Sequence, residues 1–104
     1  MSYRIVFDRP AEKQFRRLPS EIRQALARRV SALADDPRPP DSRKLEGTED
    51  CYRLRQGDHR LVYTILEDCV VVLILRVGHR SSIYRGIGSV TRAIRKHNKG
   101  TGGQ

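Results

Sequence analysis

Residues 70–75 read VVVLIL, six apolar residues with no polar alternation. A strand that is apolar on both faces belongs inside a sheet and not at its edge, so the chain must supply neighbours for it. Two come just before it: about Tyr52–Arg55 and His59–Leu66, the second rich in β-branched and aromatic residues. Gln56-Gly57-Asp58 and Glu67-Asp68 are tight-turn sequences that join these two runs to a third strand over Val70–Val77. A further short β-rich run lies at Tyr3–Phe7.

Between the first run and the other three the apolar period changes from two to helical. Asp8 is placed to cap a helix, and Pro10 suits its first turn. Ala11, Phe15 and Leu18 then recur at helical spacing before Pro19 breaks the helix and Ser20 caps a second one. In that second helix Ile22, Leu26, Val30 and Leu33 form one apolar stripe, with Arg16, Arg17, Arg23, Arg28 and Arg29 largely outside the two stripes. The pair reads as a helical hairpin whose apolar side needs a sheet to cover it. Residues 35–44, DDPRPPDSRK, read as a loop. The expected fold class is α+β, a small antiparallel sheet with two helices on one face, in a single domain over residues 1–85. Residues 86–104 form a basic C-terminal extension. Ile87, Val90 and Ile94 would make a narrow stripe on a short helix, and GTGGQ would be a disordered end.

Charge narrows the function. The 104 residues carry 21 Lys and Arg against 12 Asp and Glu, and arginine outnumbers lysine seventeen to four. A solubility face would ordinarily use Lys and Glu, whereas the planar guanidinium fork matches phosphate. A polyanionic partner is favoured: nucleic acid, or an acidic protein that masks the same surface. Cys51 and Cys69 lack CxxC spacing and read as free thiols, and His59, His79 and His97 form no metal-binding cluster. No Gly-rich phosphate loop is present, so neither a metal nor a small-molecule cofactor is expected. No apolar run approaches the ~20 residues that span a bilayer, and MSYRIVFDRP has no signal-peptide core. A cytoplasmic location away from membrane is expected.

The arginines follow the strand alternation. Tyr52 and Leu54 share one face of their strand, and Arg53 and Arg55 share the other. In the next strand Leu61, Tyr63 and Ile65 alternate with Arg60, Val62 and Thr64, and a short turn brings Arg60 near the Arg53/Arg55 face. VGHRSSIYR, residues 77–85, then adds His79, Arg80, Tyr84 and Arg85. Together they suggest a phosphate site with an aromatic at its rim on which a base stacks. A solvated sheet face with long polar side chains would alternate in the same way, but it would not leave the positive charges without interleaved carboxylates. Arg76, inside an apolar strand, reads instead as a structural residue paired with a carboxylate.

YRLRQGDHRLVY, followed by a hydrophobic strand ending in VGHRSSIY, resembles the RelE family, the toxins of bacterial and archaeal toxin–antitoxin pairs. The resemblance covers residues 3–85, including the helical hairpin. It implies a ribosome-dependent endoribonuclease that cuts mRNA in the ribosomal A site without a metal. The ribose 2′-OH attacks the adjacent phosphate, giving a 2′,3′-cyclic phosphate and a free 5′-OH. The positions that match the family's catalytic set are Arg53, Arg55, Arg60, Arg80 and Tyr84. Of these, Arg53, Arg60 and Tyr84, with Arg85, would contact the substrate. The implied partners are a cognate antitoxin protein, the ribosome with its rRNA, and mRNA.

One departure from the family pattern bears on mechanism. The second-strand positions are commonly lysine, which can act as a base, whereas arginine, always protonated in water, is a poor proton acceptor. Either Arg55 only stabilises charge while the ribosome orients the substrate, or His79 or His59 handles a proton. The residues leave the general base open. Two other functions fit the composition: a ParE-like toxin that blocks DNA gyrase, and a non-catalytic basic module that holds an acidic partner. The Arg80 and Tyr84 pair argues against the gyrase poison, because that branch generally lacks it.

Overall fold

The computed structural model describes residues 2–45 and 50–84. Arg85 and the expected basic extension over 86–104 lie outside the described residues. The elements are β1 (Arg4–Phe7), α1 (Arg9–Arg16), α2 (Ser20–Leu33), β2 (Arg43–Lys44), β3 (Cys51–Gln56), β4 (His59–Leu66) and β5 (Val71–His79). The described strands form one sheet in the order β1-β5-β4-β3-β2. The apolar strand β5 therefore lies inside the sheet, as its composition requires.

The sheet is mixed and not wholly antiparallel, because β1 pairs parallel to β5, with Ile5 opposite Val72 and Phe7 opposite Ile74. A parallel partner needs a long connection, and the two helices and the three following strands supply it. A fifth strand, β2, arises inside the stretch read as a loop and pairs antiparallel with β3. Two residues carry no periodicity, so it left no trace in the pattern. The turn before β5 also differs: Glu67–Cys69 form a short 3-10 turn and Val70 follows it in the left-handed region at φ 55°. Val70 closes the turn instead of opening the strand. Such a conformation strains a β-branched residue.

The α1–α2 hairpin covers one face of the sheet. Ala11, Leu18, Leu26, Val30 and Leu33 are buried there against Leu54, Leu61, Tyr63, Val72, Ile74 and Val77. Phe7 packs on Phe15 with ring centroids 5.3 Å apart, and the Val77 amide donates to the Gln14 side chain at 2.9 Å. Val71, Leu73 and Leu75, alternating with those residues, enter a second buried cluster on the other face with Cys51, Val62, Leu66 and Ile83. That division explains why VVVLIL shows no alternation: each face of β5 has its own core.

Neither expected side-chain cap forms. Pro19 stands at the α2 N-cap, and Ser20 begins the helix. Asp8 stands at the α1 N-cap without a capping bond; its carboxylate turns instead towards Arg76, with Nη1 to Oδ2 at 3.7 Å and both side chains nearly buried. A buried cation needs its counter-charge more than a helix end needs one acceptor. Arg76 is thus the structural residue that its apolar setting suggested.

Candidate active site

The second face of the sheet is apolar at one end and basic at the other, and β3 shows the change within one strand. Cys51 belongs to the buried cluster, while Arg53 and Arg55, two and four residues on, leave it for solvent. Register then stacks like charges. Arg43 of β2 lies opposite Arg53, and Arg55 lies opposite Arg60 of β4. Like charges directly opposite one another destabilise a sheet, so this face is not arranged for stability.

A cavity of about 250 Å³ lies against the β2–β3 ladder, lined by Asp41, Arg43, Arg53 and Arg55. Arg29 of α2 pairs with Asp41 and donates from Nη1 to the Arg55 carbonyl at 3.3 Å. Arg43 and Asp41 were not singled out in the sequence, because both lie in the proline-rich stretch and only the β2–β3 pairing brings them here.

The remaining candidates gather at the β3–β4 turn. Arg60 folds back on that turn, donating from Nη1 to the Gly57 carbonyl at 2.9 Å and the His59 carbonyl at 3.0 Å. Arg80 follows β5, its amide bonded to the Asp58 carbonyl at 2.7 Å and its Nε 3.3 Å from the Asp58 carboxylate. Both partners of this pair are largely exposed, so the contact contributes little and yields readily to a phosphate. Tyr84 is exposed at 38%, and its neighbour Ile83 is buried. Ile83 reaches over Gly78, 3.6 Å from where a β-carbon would stand. The turn over 80–84 is thereby anchored to the basic end of the sheet, with Tyr84 presented to solvent.

His79 takes a different position. It faces His59 edge-on with ring centroids 5.6 Å apart. Both histidines line a cavity of about 330 Å³ with Glu21, Ile22 and Ala25 of α2. They therefore lie on the helix side of the sheet, whereas Arg53 and Arg55 lie on the other. Nδ1 of His79 is engaged by the Ser81 hydroxyl at 2.8 Å. The structure thus groups Arg53 with Arg55, places Arg60 and Arg80 at the adjoining turn, and separates His79 from all of the guanidinium-lined cavity.

The loop that carries Asp41 and Arg43 is tied down at Arg38. Its guanidinium donates to the Tyr52 hydroxyl at 3.1 Å and to Glu67 at 2.7 Å, and Tyr3 donates to the same carboxylate at 3.0 Å. Tyr63 donates to the Pro37 carbonyl at 2.7 Å, and burial pushes its hydroxyl up to about 12. The bonds from Arg38, then Tyr3, hold the Glu67 carboxyl below its ordinary value. A carboxyl with a depressed folded pKa stabilises the fold above its unfolded value, ~4.3, and loses that contribution as pH falls through the folded one. The stability difference between the wild type and Glu67→Gln should therefore be present at neutral pH and shrink on acidification. Urea titrations at both pH values check this; a difference independent of pH would contradict it.

The model of the ParE toxin family of type II toxin–antitoxin systems matches residues 5–84. The mRNA interferase toxin RelE of Escherichia coli (strain K12) is 38% identical over 88 residues, covering 81% of this chain and 92% of that protein. The chain belongs to the RelE/ParE toxin family. Solved structures of family members agree with this fold. The isolated E. coli RelE toxin matches with a TM-score of 0.71 at 31% identity, over 88% of this chain and 98% of that one. The toxin of the intact E. coli RelBE toxin–antitoxin complex matches with a TM-score of 0.67 at 36% identity, over 75% and 96%. Among the described residues no helix is long and apolar enough to cross a membrane.

Proposed function

We propose that this protein is the toxin of a type II toxin–antitoxin pair and acts as a ribosome-dependent endoribonuclease on mRNA in the A site. The observation that carries this reading is the cavity lined by Arg43, Arg53 and Arg55, with Arg60 opposite Arg55 at the adjoining turn. The similarity to an mRNA interferase supports the same reaction.

The chemistry follows from the charge that develops. When the ribose 2′-OH attacks the adjacent phosphate, negative charge grows on the equatorial oxygens, and fixed guanidinium groups lower that barrier. Arg53 and Arg55, with Arg43 beside them, bind the phosphate. Arg60 and Arg80 leave their turn partners to reach the backbone on either side, and Tyr84 stacks on a base, which contributes about 1–3 kcal/mol in comparable sites. The products are a 2′,3′-cyclic phosphate and a 5′-OH. The ribosome supplies the codon in an unstacked, oriented form, and the protein works in the cytoplasm. Residues 1–85 form the toxin domain. Its partner is a cognate antitoxin, for which the solved RelBE complex is the precedent, and whose binding segment folds across the basic surface.

The family model carries the ParE description, so gyrase inhibition is the competing activity. Expression in a bacterial host separates the two. Cleavage predicts immediate loss of protein synthesis with intact DNA, and Arg80→Ala with Tyr84→Ala should abolish growth arrest. If that double variant stays fully toxic and DNA breaks accumulate, the ribonuclease reading fails.

A further inference from the structure

The reaction proposed above needs a group that takes the 2′-OH proton, and no arginine serves, since a guanidinium stays protonated. His59 and His79 lie across the sheet, against α2. Resting on that ribonuclease reading, we infer that Asp41 is the general base, its carboxylate standing in the arginine-lined cavity against the β2–β3 ladder.

Asp41 is the one carboxylate among the described residues that line this cavity, beside Arg43, Arg53 and Arg55. A negative charge there repels the phosphate that the arginines attract. It weakens binding of a polyanion, so its presence calls for another role, and the role that a cavity of arginines lacks is proton acceptance. The loop also holds it in a defined pose. Arg29 of α2 pairs with Oδ2 of Asp41 while donating to the Arg55 carbonyl. The carboxylate is thereby fixed relative to the strand that carries two of the phosphate ligands, and Oδ1 is left to accept from the hydroxyl. Aspartate is an established general base when so placed.

Charged groups surround it. Arg29 faces it from α2, Arg43 from β2, and Arg53 and Arg55 from β3, and Asp36 shares the adjoining groove. In the step itself the 2′-OH proton passes to Oδ1 as the 2′ oxygen bonds to phosphorus. The bond from phosphorus to the 5′ oxygen breaks, and that oxygen takes its proton from water. Solvent afterwards removes the proton from Asp41.

Single-turnover cleavage on ribosomes programmed with mRNA and an empty A site tests the assignment. Asp41→Asn should bind these ribosomes at least as tightly as the wild type does but cleave about 10²–10⁴-fold more slowly. Asp41→Gly should be equally slow and regain rate when formate is added, because a small carboxylate can occupy the vacated space. The rescued rate should rise with the basicity of the carboxylate added, a dependence that a residue merely holding Arg29 would not show. Cleavage by Asp41→Asn at the wild-type rate, or a slow Asp41→Gly that formate does not restore, would overturn the inference. A wild-type protein that fails to cut at all would instead remove the ribonuclease reading, and Asp41 with it.

Discussion

Arg53→Ala should lower ribosome-dependent cleavage by about 10²–10³-fold, the cost of removing one preorganised donor from a comparable oxyanion site. The same substitution should leave the fold as stable as before, or more so. Arg53 faces Arg43 across the β2–β3 ladder, and both side chains project to the same face. Removing one relieves a like-charge contact without opening a buried cavity, because Arg53 is only partly buried. Activity and stability therefore move independently, or in opposite directions, as they do where a site is maintained against the preference of the scaffold. Arg53→Ala with Arg55→Ala should cost less than the product of the single effects, since both ligate one phosphate. Thermal melts beside single-turnover rates provide the check. A variant that loses activity only in proportion to lost folded protein would indicate a structural role.

The largest effect on stability is expected far from the RNA. Asp8→Ala should destabilise the protein by about 3–5 kcal/mol, because it leaves Arg76 charged and nearly buried beside an apolar core. Asp8 follows β1 and is exposed by only 7%, and its amide also donates to the Ile74 carbonyl at 2.8 Å. Small domains are stable by about 5–15 kcal/mol in total, so Asp8→Ala should unfold in mild urea. The companion test replaces both charges, Asp8→Ala with Arg76→Met. Two apolar residues in place of a buried pair are often neutral or better, so the double variant should recover most of the loss. A double variant as unstable as Asp8→Ala would show that the charges matter to the fold beyond their pairing.

How far these features could be read from the sequence depended on whether the signal was local. The α2 stripe and the facing of Arg53 and Arg55 come from periodicity, and the three C-terminal strands from runs set between turn residues. The YRLR and VGHR segments carried the family as well. Three features depended on pairing between distant segments and were not legible. The parallel register of β1 with β5 is set by how the helices cross the sheet. The two-residue β2 exists only through Arg43 and Lys44 meeting β3, and with it Asp41 and Arg43 enter the cavity. Asp8 had an equally good local explanation as a helix cap, and only the tertiary approach of Arg76 reassigns it. The placement of His59 and His79 lay between these cases: alternation set each apart from its arginine neighbour, but only the α2 packing showed what they face.

The most direct measurement maps the 5′ ends of an mRNA held on ribosomes with a vacant A site after addition of the purified protein. The arginine-lined cavity predicts a new 5′-OH end within the A-site codon, absent when the same mRNA is free and lost with Arg53→Ala. A folded protein that leaves the A-site codon intact, or an Arg53→Ala variant that cuts at the wild-type rate, would contradict it.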